Sequence, residues 1–519
     1  MNAASYALDG LPNSAIAQGS MFVIFGSGLG PATLQQARFP LPVALGGTSV
    51  KVTVGGSTVN AILIYTSANQ VACVLPSATP IGAGVVTVTY NNVTSAPASI
   101  TVVRSSFGIF TINQAGNGPG VITDTNWQVN LLTRAAGPSE VMVLWGTGLG
   151  PVAFDETRGA PSEDMRSSDV QVFVGGKPAE LLFRGRAPGY SGLDQINFRV
   201  PPGLEGCYVP VAVKVAGLVS NFTSLSISSR KKVCSDPLSH LDTDLERARD
   251  KDDFRVAYLQ LVRTEMNLPG VGNITSDTGD GSFFRYNFRK LIGAVATAGL
   301  APLGHCTVYT FRGTDYAFKD PVAPEGLDAG RLSVTGPLGE KQFKQNSKGE
   351  YSAQLGGGIP GLGGQPEYLV KGYYSLTGSG GAEVGAFSAA LVIPDPIRWI
   401  NRDSINDISR SQDLKLSWTG GDPNKEMATI IGLSLRTAPE VGAAFVCTER
   451  AAALSFSVPS LVLSALPPSP SGSAASGTPA AMLMLGSAPI LDQSRFKAPG
   501  LDAGFFYYTL LNGKTVTFR

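Results

Sequence analysis

The chain of 519 residues is long enough for three or four domains with separate cores. Charged residues make up only 15 % and the net charge is +1, so no global field favours nucleic acid or an anionic membrane face. Its 62 glycines and 35 prolines suit short strands joined by turns, and two histidines exclude a multi-histidine metal centre. No apolar run reaches the roughly 18 residues of a membrane-spanning helix, and residues 1–6 carry neither the basic nor the apolar part of an export signal.

An internal repeat dominates the first half. MFVIFGSGLGP at residues 21–31 recurs as VMVLWGTGLGP at 141–151, and SVKVTVGG at 49–56 recurs as DVQVFVGG at 169–176. QVACVLP at 70–76 then matches QINFRVP at 195–201, which places an insertion near residues 185–191 of the second copy. Val50, Val52 and Val54, like Val170, Val172 and Val174, alternate as on a half-buried strand, with a glycine pair supplying the turn that follows. Residues 209–215 and 222–227 alternate likewise and read as a hairpin turning at 217–220.

This duplicated block resembles the IPT/TIG immunoglobulin-like family, in a version common in secreted proteins of environmental bacteria. The resemblance rests on NAASY (2–6), IAQGS (16–20), FGSGLGP (25–31), APGYSGLDQIN (187–197) and VPP (200–202). It implies an all-β chain of tandem immunoglobulin-like β-sandwiches, with copies at residues 1–104 and 105–234. In that family the Asn-Ala-Ala-Ser motif follows an export signal, so the resemblance also implies an extracellular or cell-surface protein whose Met1 is a late start.

Residues 235–253 predict a short linker helix, with Asp236 at the N-cap and Pro237 at the first helical position. Leu238, Leu241, Leu245 and Ala248 fall on one face and Asp244, Glu246, Arg247 and Arg249 on the other. From residue 254 the pattern returns to short strands, read as two further sandwiches, 254–394 and 395–519, meeting at Pro394-Asp395-Pro396. Residues 356–364 and 467–477 read as surface loops. GGAEVGAF (380–387), LSWTGG (416–421), FVC (445–447) and FKAPGLD (496–502) resemble C-terminal regions that accompany such modules, and that resemblance implies no activity.

None of the five cysteines forms a CxxC pair. Cys207 and Cys234 flank the hairpin almost symmetrically and are expected to be bonded; Cys306 and Cys447, both in apolar strand contexts, are the next expected pair. Cys73 stands where the second copy has Phe198 and reads as a small buried hydrophobe. Paired cysteines favour an oxidising compartment.

Motifs for chemistry are weak. GSGLG at 26–30 is followed by Pro31 with no helix to offer a phosphate, so it reads as a structural turn. Gly189-Tyr-Ser-Gly192 has Leu193 where a nucleophile elbow needs glycine, and a triad there would have to recruit His240 or His305. Asp277 and Asp280 read as an Asp/Gly turn and not as a calcium loop. Trp145 and Trp418 read as core, and Phe505-Phe-Tyr-Tyr508 as a central buried strand; Tyr190, Tyr373 and Tyr374 are the best exposed rings for ligand contact.

These observations predict a non-catalytic structural or interaction protein with no cofactor, no metal and no membrane insertion, its partner an unknown protein or polysaccharide. A glycan- or protein-binding adhesin with contacts around Tyr190 and residues 356–364 is one alternative. A hydrolase using two carboxylates of the C-terminal half is another.

Overall fold

The computed structural model describes residues 1–230, 232–239, 241–251, 253–268, 272–287, 301–312, 315–316, 324–358, 364–437, 440–469 and 479–519. His240 and parts of the expected loops at 356–364 and 467–477 lie outside them. The chain is all-β; among the described residues, short helices occur only at Asp242–Lys251 and Ser460–Leu463 besides single 3-10 turns.

The first repeat pairs Met21–Phe25, Gln70–Val74 and Ile62–Thr66 in one sheet, and Thr48–Val54, Gly82–Tyr90 and Ala98–Val103 in another. Strand alternation sends Val50, Val52 and Val54 inward to meet Phe22, Leu63, Val71 and Cys73. In the second repeat, Val170, Val172 and Val174 meet Met142, Leu144, Ile196 and Phe198 in the same way. The pairing register repeats residue for residue: Met21 opposes Val74 as Val141 opposes Arg199, and Phe25 opposes Gln70 as Trp145 opposes Gln195. Both repeats also carry a bulge one strand further on, between Leu63 and Tyr65 and between Leu181 and Phe183. Cys73 and Phe198 are equally buried, and burial pushes the Cys73 thiol far above its ordinary range.

The second half is organised differently from the expected pair of sandwiches. Phe254–Leu268 runs parallel to Ala503–Thr515 and antiparallel to Gly272–Tyr286, within a twelve-stranded sheet that also takes His305–Arg312, Glu350–Gly358, Glu426–Thr437, Glu440–Arg450 and Ala481–Pro489. This sheet draws strands from both sides of Pro394, so a boundary at 394/395 would cut through it. Two smaller sheets share cores with it. Leu332–Gly336, Gly372–Gly378 and Phe387–Ile393 bring Val334, Tyr374 and Leu376 to Leu259, Leu261 and Phe283. Leu414–Thr419 and Ser455–Val458 bring Leu416, Trp418 and Val458 to Ile430, Phe445 and Leu483. The strand Ala503–Thr515, which contains Phe505–Tyr508, pairs with Phe254–Leu268 along one side; on the other, Phe505 meets Arg495 and residues 510–515 meet Ala481–Pro489.

The helix begins at Asp242, later than the Asp-Pro signal suggested. The Asp236 carboxylate instead accepts the Leu238 N–H at 2.9 Å, and Ser239 N–H reaches the Asp236 carbonyl at 3.1 Å, closing a separate buried turn. Leu245 and Ala248 are fully buried in a core shared with Cys207, Cys234, Phe254 and Phe505. The helix is therefore a packed wedge between the second repeat and the large sheet. Cys207 is bonded to Cys234 beside that wedge, and Cys306 is bonded to its direct cross-strand neighbour Cys447. Cys73 is the free cysteine.

Candidate ligand-binding cleft

The seam between the repeats is built from polar clamps. Arg186 and Asp194 form a fully buried ion pair; the same guanidinium donates to the carbonyls of Gly19 in the first repeat, at 2.8 Å, and Gly150 in the second, at 2.6 Å. The Asp194 carboxylate also accepts the N–H groups of Gly148 (2.7 Å) and Leu149 (2.8 Å). The amides that a nucleotide phosphate would need are thus occupied by a side chain of the chain itself. Gly148 has φ +115°, and a Cβ there would collide with the Ser106 carbonyl, which explains the glycine. Thr147 Oγ1 receives the Met21 N–H at 2.9 Å and donates to Gly192 O at 2.6 Å; Glu156 holds the Ser77 N–H and hydroxyl at 2.7 and 2.9 Å.

Beside this clamped seam lies a cleft of about 1380 Å³, lined from both repeats. Val23, Ile64 and Ala72 form a first-repeat wall, and Val121, Trp145 and Leu193 contribute from the second. Tyr6, Tyr65, Trp127 and Tyr190 add rings, and Gln114 and Gln195 add amides. None of the residues lining it is Asp, Glu, Lys, Arg or His.

Local turns aim these side chains. Asn2 Oδ1 accepts the N–H groups of Ala4 and Ser5, its Nδ2 donates to Ser106 O and Thr147 O, and Tyr6 N–H closes on Asn2 O at 3.1 Å. That turn leaves Tyr6 at φ +50°. Asp124 Oδ1 likewise accepts from Asn126 and Gln128, and Trp127 N–H closes on Asp124 O with Trp127 at φ +63°. Eight non-glycine residues among those described have positive φ, and three of them, Tyr6, Gln114 and Trp127, line this one cleft. Each left-handed L-residue costs about 1–2 kcal/mol, so their clustering marks a place where side-chain position outweighs backbone ease. Trp127 packs on Trp145 with ring centroids 5.6 Å apart, and the Trp145 indole N–H donates to Thr123 Oγ1 at 3.3 Å.

Among the expected contact residues, Tyr190 is 57 % exposed and belongs to the cleft. Its loop is pinned by Ser191, whose hydroxyl donates to Glu156 O at 2.6 Å. Tyr373 is exposed on another sheet, opposite Val392, and is not brought to the cleft. Tyr374 corrects the expectation: it is fully buried, its hydroxyl receiving the Val370 N–H at 2.8 Å, with Tyr368 O 2.9 Å away. Successive residues on a strand face opposite ways, so the Tyr373-Tyr374 pair could not present both rings.

Trp418 is core, its N–H donating to Ala451 O at 2.9 Å, but Trp145 is only half-buried and its repeat counterpart Phe25 is 53 % exposed. Asp277 lies inside the strand Gly272–Tyr286 and not in a turn. Burial opposes its charge, but a two-point pair with Arg263 at 2.8 Å and the Tyr368 and Leu369 N–H groups outweigh that and hold its carboxyl below the ordinary range. In the C-terminal half, Glu426 is engaged internally by the Tyr508 hydroxyl at 2.5 Å and Asp422 N–H at 2.6 Å. Among the described residues no group of three His, Cys, Asp or Glu side chains could hold a metal ion, and no helix is long and apolar enough to cross a membrane.

Sequence reasoning missed Tyr6, Tyr65, Gln114 and Trp127. The available signal was the aromatic–glutamine match between repeats, Phe25 with Gln70 and Trp145 with Gln195. A two-sheet sandwich with this register, over the segments that carried the family resemblance, agrees with a direct family match. Residues 11–102 match the IPT/TIG domain family. The IPT/TIG match covers the first repeat; the second shares its register and its bulge. No curated protein matches the chain.

Similar solved structures include SGBP-B of the Bacteroides ovatus mixed-linkage glucan utilization locus, in complex with a mixed-linkage heptasaccharide. It is 9 % identical, with 86 % of this chain and 92 % of that one covered and a TM-score of 0.15. The Escherichia coli adhesin FdeC is 12 % identical over 75 % of this chain and 98 % of that one, with a TM-score of 0.13. The ectodomain of mouse nectin-like molecule 4 is 10 % identical over 73 % and 96 %, with a TM-score of 0.14.

Proposed function

We propose that this is a non-catalytic, extracellular or cell-surface binding protein whose inter-repeat cleft holds a segment of an uncharged polysaccharide. The observation that carries the reading is the composition of the cleft: rings and amides around an uncharged floor. Flat apolar rings stack on the C–H faces of sugar rings, while amides and phenols both donate to and accept from hydroxyl groups. Charged ligands would find no partner there. The two disulfides support an oxidising compartment.

The aliphatic wall of Val23, Ile64 and Ala72 favours a second reading, in which an apolar stretch of a protein partner is held. Affinity electrophoresis of the full chain in gels containing cellulose derivatives, xylan, mannan, starch or β-1,3-glucan separates the two. Retardation by at least one neutral glycan, lost on Tyr190→Ala or Trp127→Ala, is the expected result. Unretarded migration across the whole panel would overturn the polysaccharide reading.

A further inference from the structure

A second aromatic–amide pair lies outside the cleft. Phe25 ends the strand Met21–Phe25, with more than half of its surface exposed, while Phe22 and Val23 on the same strand are buried. Phe25 opposes Gln70 in the register that sets Trp145 opposite Gln195. Two contacts tie this pair to the cleft. The Phe25 ring stands 6.2 Å from the ring of Tyr6, and Gln70 Nε2 donates to the Tyr65 hydroxyl at 2.7 Å. Tyr6 and Tyr65 are both cleft residues.

We infer that Phe25, with Gln70 beside it, is a second stacking subsite continuous with the cleft through Tyr6 and Tyr65, so that the ligand is held along its chain and not by one end. This rests on the polysaccharide reading of the cleft. The surface runs from Trp145 and Trp127 in the second repeat, past Tyr6, to Phe25 in the first, repeating one ring-and-amide unit. The buried clamps of the seam fix the two units relative to each other. A chain occupying both gains the second contact as an intramolecular step, so affinity rises with chain length until both subsites are filled.

Isothermal titration of the full chain with cello-, manno-, xylo- and laminari-oligosaccharide ladders, from disaccharide to octasaccharide, tests this. Wild type is expected to bind one ladder with affinity rising roughly tenfold or more between short and long members. Phe25→Ala should bind the short members unchanged and lose most of that rise, while Trp127→Ala weakens every member. Because Phe25 is exposed, its truncation leaves the melting temperature unaltered, which a thermal scan checks. Wild type binding with the length dependence intact in Phe25→Ala overturns the subsite and leaves the cleft reading standing. Absence of binding to all four ladders and to the gel polysaccharides overturns both.

Discussion

Arg186 and Asp194, eight residues apart in the second repeat, form a buried ion pair whose guanidinium also reaches the Gly19 carbonyl of the first. The pair sits where the repeats meet, and its carboxylate satisfies the amides of the 146–150 loop. Removing one partner leaves the other charge buried and unpaired. Arg186→Met should therefore destabilise by about 3–5 kcal/mol, read as a lower urea midpoint. Asp194→Asn keeps an acceptor for the loop amides but strands the Arg186 charge in the same way, so it should lose a comparable amount. Because the seam supports the cleft, Arg186→Met should also weaken whatever ligand the wild type retains. Equal midpoints for wild type and Arg186→Met would show that the pair does not hold the seam.

Trp127 offers a separation of stability from binding. Its ring is 59 % exposed and its backbone left-handed, so removing the ring forfeits little burial. Alanine retains the left-handed strain, whereas glycine relieves it. Trp127→Gly should be more stable than Trp127→Ala by about 1 kcal/mol, while the two lose ligand retention equally. Denaturation of the two variants side by side measures the first point and affinity electrophoresis the second. A more stable alanine variant would mean that the turn at Asp124 imposes no strain.

The cysteines predict a thiol count. In unreduced native protein Cys73 is buried with its thiol pushed upward by burial, so it should react slowly or not at all. Denaturing without reductant should expose one thiol, and reduction all five. Replacing Cys207 and Cys234 by alanine should lower stability by about 3–4 kcal/mol in the chain-entropy model, and replacing Cys306 and Cys447 by about 5 kcal/mol, because the second bridge closes a much longer loop. Two or more thiols in the unreduced denatured chain would contradict the pairing.

What the sequence disclosed was local or repeated. Alternation at Val50–Val54 and Val170–Val174 follows from strand geometry alone, and the register of the two repeats follows from their matched blocks. The large sheet was not legible, because Phe254–Leu268 and Ala503–Thr515 pair in parallel from opposite ends of this half, and nothing local encodes that partnership. Tyr374 was misread although it shares strand parity with Leu376, which is core. Trp145 was harder, since residues 141–145 are apolar on both faces and alternation is silent there. Trp127 depended on a left-handed turn that a bulky residue rarely adopts, so its placement was beyond propensity.

Asp236 gives the pH dependence. Burial raises its carboxyl from 3.8 to about 6, against the pull of the Leu238 and Cys207 N–H groups, beside the Cys207–Cys234 bridge. The folded value is above the unfolded one, so the fold binds this proton more tightly. Its contribution is complete below pH ~4 and is lost as the pH rises through ~6. The shift corresponds to about 3 kcal/mol between those limits. Asp236→Asn keeps the Oδ1 acceptor for Leu238 without the charge, so it should match wild type near pH 4 and exceed it by up to that amount at pH 7. Urea midpoints of both proteins between those pH values give the difference directly, with other titrating groups cancelling. A difference that stays constant across the range would place the ionisation of Asp236 at its ordinary value and remove the group as a source of pH sensitivity.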